Sequence, residues 1–267
     1  MKRATIDNGR EFDWGRTSTD YAKYRPGYPE SFYDTLQALG IGKEGQHVLD
    51  LGTGTGVLAR AFARRGALVT GIDLSENQIK EAQELAAAEG GSTTFIVCAA
   101  EEVDVPDAAF EVISAAQSWL YFDTAVVIPK VLRALKQQGY LVLTHFLWLP
   151  IKDPIARQSE ALVLKYNPDW KGANYKGTLA PILPWSKEHF DLKSFHLSEE
   201  PIAFTRESWR GRIRACRGIG ASLSNDLIEQ FDAEHMQLLQ QIAPDTFSVL
   251  HQMSIHIFMK KGEIISV

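Results

Sequence analysis

The run Val48-Leu49-Asp50-Leu51-Gly52-Thr53-Gly54-Thr55-Gly56 constrains the fold more than any other stretch of the chain. An apolar strand enters a turn with three glycines, and a helical pattern begins at Val57. Glycine admits backbone angles that other residues resist and lets a ligand approach the main chain closely. The N-terminus of the following helix offers unpaired N–H groups. The rhythm then repeats. His47–Leu51, Leu68–Ile72, Thr94–Cys98, Val112–Ala115 and Tyr140–Phe146 read as strands that are apolar on both faces, as parallel strands covered by helices should be. Between them, Val57, Leu58, Ala61 and Phe62 share one helical face that closes at Arg64-Arg65-Gly66. Ser75 and Gln78 have capping-box spacing, and Ile79, Ala82 and Ala86 continue as a buried stripe. A third helix runs through Val127, Val131 and Leu132 toward Leu135. Pro129 inside it predicts a kink or a late start. Strand, helix, strand in this order means right-handed crossovers and an open parallel sheet.

The second half is less regular. Residues 147–190 are rich in Pro, Trp, Lys and Gly and show no clean period, so they read as an insertion over the sheet. Two further strands are expected at 191–204 and 249–260, with helices at about 206–217 and 225–242. The chain has 267 residues, which one α/β domain with insertions can fill. Its 28 Lys and Arg against 33 Asp and Glu leave a net charge of −5, which argues against a general polyanion binder. Cys98 and Cys216 have neither metal-like spacing nor a disulfide framework, and no metal is expected. Residues 1–14 are polar, and nothing reaches the roughly 18 apolar residues of a membrane span. The expectation is a cytoplasmic protein without a membrane or nucleic-acid partner, either monomer or homodimer.

The glycines at 52, 54 and 56 do not follow G-x-G-x-x-G, the dinucleotide fingerprint, because Val57 takes the next place. Asp50, an acid just before the loop, has no role beside a pyrophosphate. It suits a ligand with an ammonium group, such as S-adenosylmethionine (SAM), whose carboxylate the N–H groups of the turn can bind. Asp73 ends the second strand about 20 residues further on, where an acid can accept both hydroxyls of an adenosine ribose.

With these residues the chain resembles the class I SAM-dependent methyltransferases, in the broad type 11 group that includes enzymes acting on small acids such as trans-aconitate. The resemblance covers residues 12–146 well and the rest loosely. Asp50, Gly52, Thr53, Gly54 and Gly56 match the first motif of the family. Asp73 matches its ribose-binding acid, with Leu74 and Gln78 beside it. Ala100-Glu101 matches the turn that cradles adenine, and Gln117-Ser118-Trp119 the segment lining the methyl-donor pocket. Tyr21-x-x-Tyr24-Arg25-Pro26-x-Tyr28-Pro29 looks like the lid segment of the family, where an aromatic and an arginine close over the methionine end of SAM. By that resemblance Arg25 pairs with the SAM carboxylate. One departure is visible: Gln137-Gln138-Gly139 stands where the family has Pro-Gly-Gly before the fifth strand. The implied fold is α/β, a Rossmann-like open sheet of about seven strands, mostly parallel with an antiparallel last strand and helices on both faces. It would form a single domain over 1–267, with 1–30 as lid and 147–190 and 206–245 as an acceptor-side cap.

The implied reaction is in-line transfer of the SAM methyl to a small-molecule acceptor. The enzyme must chiefly hold a nucleophile about 3–3.5 Å from the methyl carbon in a dry pocket. A carboxylate acceptor needs no base, whereas a hydroxyl or amine does. His145, at the C-terminal end of the fifth strand, is the candidate base. Tyr21, Trp119, Trp148 and Trp185 could wall the acceptor pocket. In the 206–217 helix, Arg206, Arg210, Arg214 and Arg217 form a basic stripe with Arg212 nearby, and Arg210 and Arg214 are the expected anion contacts. Competing readings are a SAM-binding protein without catalysis and, less well matched, a nicotinamide-dependent oxidoreductase. No Asn-Pro-Pro-Tyr or Asp-Pro-Pro-Tyr motif of a base-flipping methyltransferase is present.

Overall fold

The protein is described by a computed structural model at residues 1, 5–90 and 93–261. Seven strands form one sheet in the order β3-β2-β1-β4-β5-β7-β6, mostly parallel with antiparallel last strands, as in a Rossmann-like fold. The strands are β1 (His47–Leu51), β2 (Leu68–Asp73), β3 (Thr94–Val97), β4 (Phe110–Ala116), β5 (Leu135–Trp148), β6 (Phe190–Thr205) and β7 (Thr246–Lys260). The helices are α1 (Ser18–Tyr24), α2 (Glu30–Ala38), α3 (Val57–Arg64), α4 (Glu76–Ala88), α5 (Thr124–Ala134), α6 (Pro154–Tyr166), α7 (Arg206–Arg214) and α8 (Asn225–Ile242).

Every strand read from the sequence is present: β1 keeps its bounds, β3 ends one residue earlier at Val97, and the others are longer, β5 starting at Leu135 instead of Tyr140. Two expectations change. α5 starts at Thr124 and runs through Pro129, so the late start does not occur. The Asp123 side chain accepts the Ala125 N–H at 3.1 Å, and Val127, Ile128, Val131 and Ala134 bury one face. The cap and the buried stripe outweigh the bond that proline cannot make. The stretch read as an irregular insertion contains the whole of α6. Asp153 caps it by accepting the Ala156 N–H, Pro154 occupies the first turn, and Ala156, Ser159, Glu160, Leu162 and Val163 are buried.

The Gln137-Gln138-Gly139 turn lies inside β5. Pairing with β4 jumps from Phe110↔Leu135 to Val112↔Tyr140 across a bulge. The positive φ of 63° falls on exposed Gln138, while a Cβ at buried Gly139 would meet the Lys136 carbonyl oxygen at 3.0 Å. A left-handed conformation costs an L-residue roughly 1–2 kcal/mol, against an entropic loss of about 0.5–1 kcal/mol for glycine. Gln138→Gly is therefore expected to stabilise the protein by about 0.5–1 kcal/mol. A urea midpoint unchanged or lowered would show that the bulge is unstrained.

The chain divides into two compact units. Among the described residues the sheet unit comprises 27–90, 93–146, 179–197 and 253–261, and its core gathers Leu49, Leu51, Ile72, Ile113, Leu141, Leu143 and Phe258. The helical unit comprises 1, 5–26, 147–178 and 198–252, and its core gathers Trp148, Val163, Trp209, Ile213, Phe231 and Leu239.

Candidate cofactor and acceptor sites

In the sheet unit, the turn between β1 and α3 is built from the inside outward. Asp50 is 1% exposed and stands in register with Ser114 on β4 and Gly71 on β2. Its carboxylate accepts the Ser114 hydroxyl and the Thr53 hydroxyl, each at 2.6 Å. Burial pushes its pKa up to about 6 against those two hydrogen bonds, and the charge of Asp73 adds to the rise. Asp50 thus lies beneath the loop and anchors it, rather than presenting a bare carboxylate at its surface. The Thr53 N–H donates to Ile72 O at 2.8 Å and ties the loop to β2.

The three glycines serve different ends. A Cβ at Gly52 would fall 2.6 Å from Ser118 Cβ, and one at Gly56 2.8 Å from Phe95 Cζ, so packing within the protein excludes side chains there. Gly54 is half-buried with φ of 55°, and its N–H donates to Asp73 Oδ2 at 3.0 Å. Asp73 Oδ1 accepts the Ser75 N–H at 2.9 Å, and burial raises the Asp73 pKa. The side chain remains half-buried at the end of β2. Beside it Leu74 is 52% exposed. Gln78 is 3% exposed, and its N–H donates to the capping Ser75 Oγ at 3.4 Å, so its visible role is at the start of α4.

The other predicted cofactor residues follow on neighbouring strand ends. Ala100 is buried, and Glu101 Oε1 accepts the Asp123 N–H at 2.7 Å at the head of α5. Gln117 has φ of 61° and donates from Nε2 to Phe146 O at 2.8 Å. Ser118 donates to Leu51 O at 2.6 Å. The loop, Asp73 and these turns therefore share the C-terminal ends of β1, β2 and β4 and the turn after β3, where open α/β sheets bind ligands.

Tyr21 and Arg25 belong to the helical unit, the Arg25 guanidinium carbon lying 4.9 Å from the centroid of the Tyr21 ring. Tyr28, at the far end of the same motif, belongs to the sheet unit and hydrogen-bonds Thr144 Oγ1 at 3.0 Å.

The acceptor-side expectations need correction. Trp119 is 8% exposed and stacks on Trp185 at 5.0 Å within the sheet-unit core, so it is a packing residue and not an open wall. Arg214 donates to Asp20 from Nε and Nη2 at 2.6 and 2.7 Å and to Asp232 from Nη1 at 2.7 Å. Arg210 lies 3.5 Å from Asp232, Arg206 donates to Ala243 O, and Arg217 is paired with Asp7. Arg206, Arg214 and Arg217 are thus occupied by internal carboxylates and carbonyls, which removes Arg214 as an anion contact, while Arg210 keeps only a looser ion pair with Asp232 and no hydrogen bond from its buried Nε. His145 hydrogen-bonds Ser254 Oγ through Nδ1 at 3.1 Å. Burial, with His256 nearby, lowers its pKa to about 4, about three units below neutral pH and far from the match a general base needs.

Sequence reasoning passed over Ser114 and gave Arg212 no role. Ser114 had a signal: a hydroxyl inside an apolar strand must find a partner. Arg212 had none that distinguished it from the neighbouring arginines of its helix.

A family profile described as "Methyltransferase domain" matches residues 48–139. An uncharacterized methyltransferase of Mycobacterium bovis is 33% identical over 123 residues, covering 46% of this chain and 47% of the relative. The chain thus spans about half the length of such curated relatives. Two solved structures share the fold. A SAM-dependent methyltransferase from Thiobacillus denitrificans, in complex with S-adenosylhomocysteine, has a TM-score of 0.52 at 20% identity, covering 93% of this chain and 98% of that one. A Haemonchus contortus phosphoethanolamine N-methyltransferase, in complex with phosphomonomethylethanolamine and S-adenosylhomocysteine, has a TM-score of 0.54 at 22% identity, covering 97% and 58%.

Proposed function

We propose that the chain is a class I SAM-dependent methyltransferase that binds SAM on the turn between β1 and α3 and methylates a small anionic molecule. The observation that carries the cofactor half is electrostatic. Asp50 and Asp73 are two carboxylates raised by burial, and among the described residues neither has a cationic partner. A ligand carrying a sulfonium and an ammonium supplies the missing positive charge, whereas a pyrophosphate would worsen the repulsion.

In this reading Asp73 accepts the ribose hydroxyls while it fixes the Gly54 N–H. Leu74, Ala100 and Glu101 flank the base. The glycine turn meets the methionine end, with Gln117 and Ser118 shaping the wall beside it. Arg25 and Tyr21 belong to the lid. When bound, SAM supplies an electrophilic methyl for in-line displacement, and the residues of the chain orient the acceptor and exclude water. A histidine held near pKa 4 favours an acceptor that needs no deprotonation, and a carboxylate is one. The likeness to trans-aconitate methyltransferases read from the sequence points the same way.

Calorimetric titration with S-adenosylhomocysteine and with NADH tests the cofactor, and transfer of labelled methyl into the anion-exchange fraction of a metabolite extract tests the acceptor. Heat with S-adenosylhomocysteine and none with NADH is the expected result. The reverse overturns the assignment, and label confined to neutral or cationic products overturns the anionic acceptor.

A further inference from the structure

The arginines of the helical unit separate by partner. Arg206, Arg210, Arg214 and Arg217 all meet carboxylates or carbonyls. Arg212, on the same helix, does not. It is 6% exposed, yet among the described residues its guanidinium has neither a hydrogen-bond acceptor nor an acidic partner. Its guanidinium carbon lies 4.8 Å from the centroid of the Trp148 ring. That indole is held in place by its own N–H, which donates to Glu160 Oε1 at 2.6 Å. The nearby charge is another cation, Arg25, which stands over Tyr21 and likewise has no acidic partner among the described residues. Burial first, and Arg25 second, lower the Arg212 pKa to about 9, so the guanidinium is still charged at neutral pH. His251 does not offset this charge. It is 1% exposed, and burial with the field of the two arginines lowers its pKa to about 3.

A buried ion is normally paired, because removing it from water alone is expensive. Two adjacent guanidinium groups without a carboxylate are a standing excess of positive charge in a chain whose net charge is −5. Each is backed by an aromatic face, an arrangement that leaves its donor edge for a planar or tetrahedral oxyanion. We propose that Arg212, beside Arg25, binds a small oxyanion, a carboxylate or a phosphate, within the helical unit and fixes its plane against Trp148. This inference stands on the residues of the helical unit alone and replaces the Arg210–Arg214 stripe with a different anion contact.

The test uses the full chain and three probe anions: citrate, glutarate and inorganic phosphate. Calorimetry and thermal melting are run at constant ionic strength, with and without S-adenosylhomocysteine. At least one probe should bind saturably and raise the melting temperature, because a ligand of the folded state alone stabilises it. Arg212→Met keeps the aliphatic contact with Trp148 and removes the unpaired charge. It should raise the melting temperature of the free protein, weaken the best probe at least tenfold, and leave S-adenosylhomocysteine affinity within twofold. No saturable response to any of the three anions overturns the proposal. So does Arg212→Met that melts lower than the parent, since the guanidinium would then be structural. Loss of S-adenosylhomocysteine affinity in that variant assigns Arg212 to the carboxylate of the cofactor and also overturns it. Failure of the parent protein to bind S-adenosylhomocysteine is read separately and strikes the methyltransferase reading instead.

Discussion

Asp73→Ala is expected to weaken S-adenosylhomocysteine roughly 10- to 150-fold while the protein stays folded. Hydrogen bonds to a charged group contribute about 1.5–3 kcal/mol, and every 1.4 kcal/mol is about tenfold in affinity. The carboxylate also accepts the Gly54 and Ser75 N–H groups, so its loss frees the turn proposed to hold the cofactor. Stability should suffer less, because the residue is half-buried at a strand end and water can reach the released donors. Ser75→Ala is the control. It removes the cap of α4, which costs about 1 kcal/mol of stability, and should leave affinity nearly unchanged. Calorimetry on both variants, beside their urea midpoints, separates the effects. An Asp73→Ala protein that is folded and binds normally removes this acid from the site.

What the sequence made legible was whatever depends on near neighbours. Glycine spacing at 52, 54 and 56, the Ser75 cap and the apolar runs of β1, β2 and β4 are local patterns, and each stands where the chemistry of its residues places it. α6 was equally local. Its Asp153-Pro154 start was overlooked because the surrounding Pro, Trp and Gly residues masked a single well-capped helix. The acceptor side was illegible for a different reason. Arg214 is satisfied by Asp20, 194 positions away, and Arg217 by Asp7, 210 positions away. No helical periodicity can show which arginine of a stripe has been claimed by a distant acid and which has been left over. The same limit applies to Asp50. Its place in the loop motif was plain, but its bond to Ser114 depends on the register of β1 against β4.

Acid should destabilise the helical unit first, beginning below pH 6.5. His235 is fully buried, with Nε2 2.9 Å from Ser159 Oγ, which also accepts the Trp209 Nε1–H at 2.9 Å. Burial, with Arg210 adding, lowers its pKa to about 3. His251, buried against Phe204 and Trp209, is lowered to about 3 chiefly by burial. In an unfolded chain both would titrate near 6.5. Between these values the unfolded state binds more protons than the folded one, so stability falls as pH falls through 6.5 and continues to fall toward 3. At pH 5 each buried histidine opposes folding by about 2 kcal/mol, together a large share of a typical domain stability of roughly 5–15 kcal/mol. In the sheet unit His145, lowered to about 4, acts in the same direction, but Asp50 acts against it. A carboxyl raised to about 6 holds its proton more tightly when folded. It therefore adds roughly 1 kcal/mol as pH falls from 8 to 5, and that gain is lost as pH rises through 6. The expected result is faster hydrogen exchange at pH 5 than at pH 8, after correction for intrinsic rates, in α6, α7 and α8 before β1, β2 and β4. His235→Gln and His251→Gln should each flatten the dependence of the urea midpoint on pH by about one proton. Protection lost uniformly across the two units, or a slope untouched by either substitution, would show that these histidines are accommodated in acid by local opening instead.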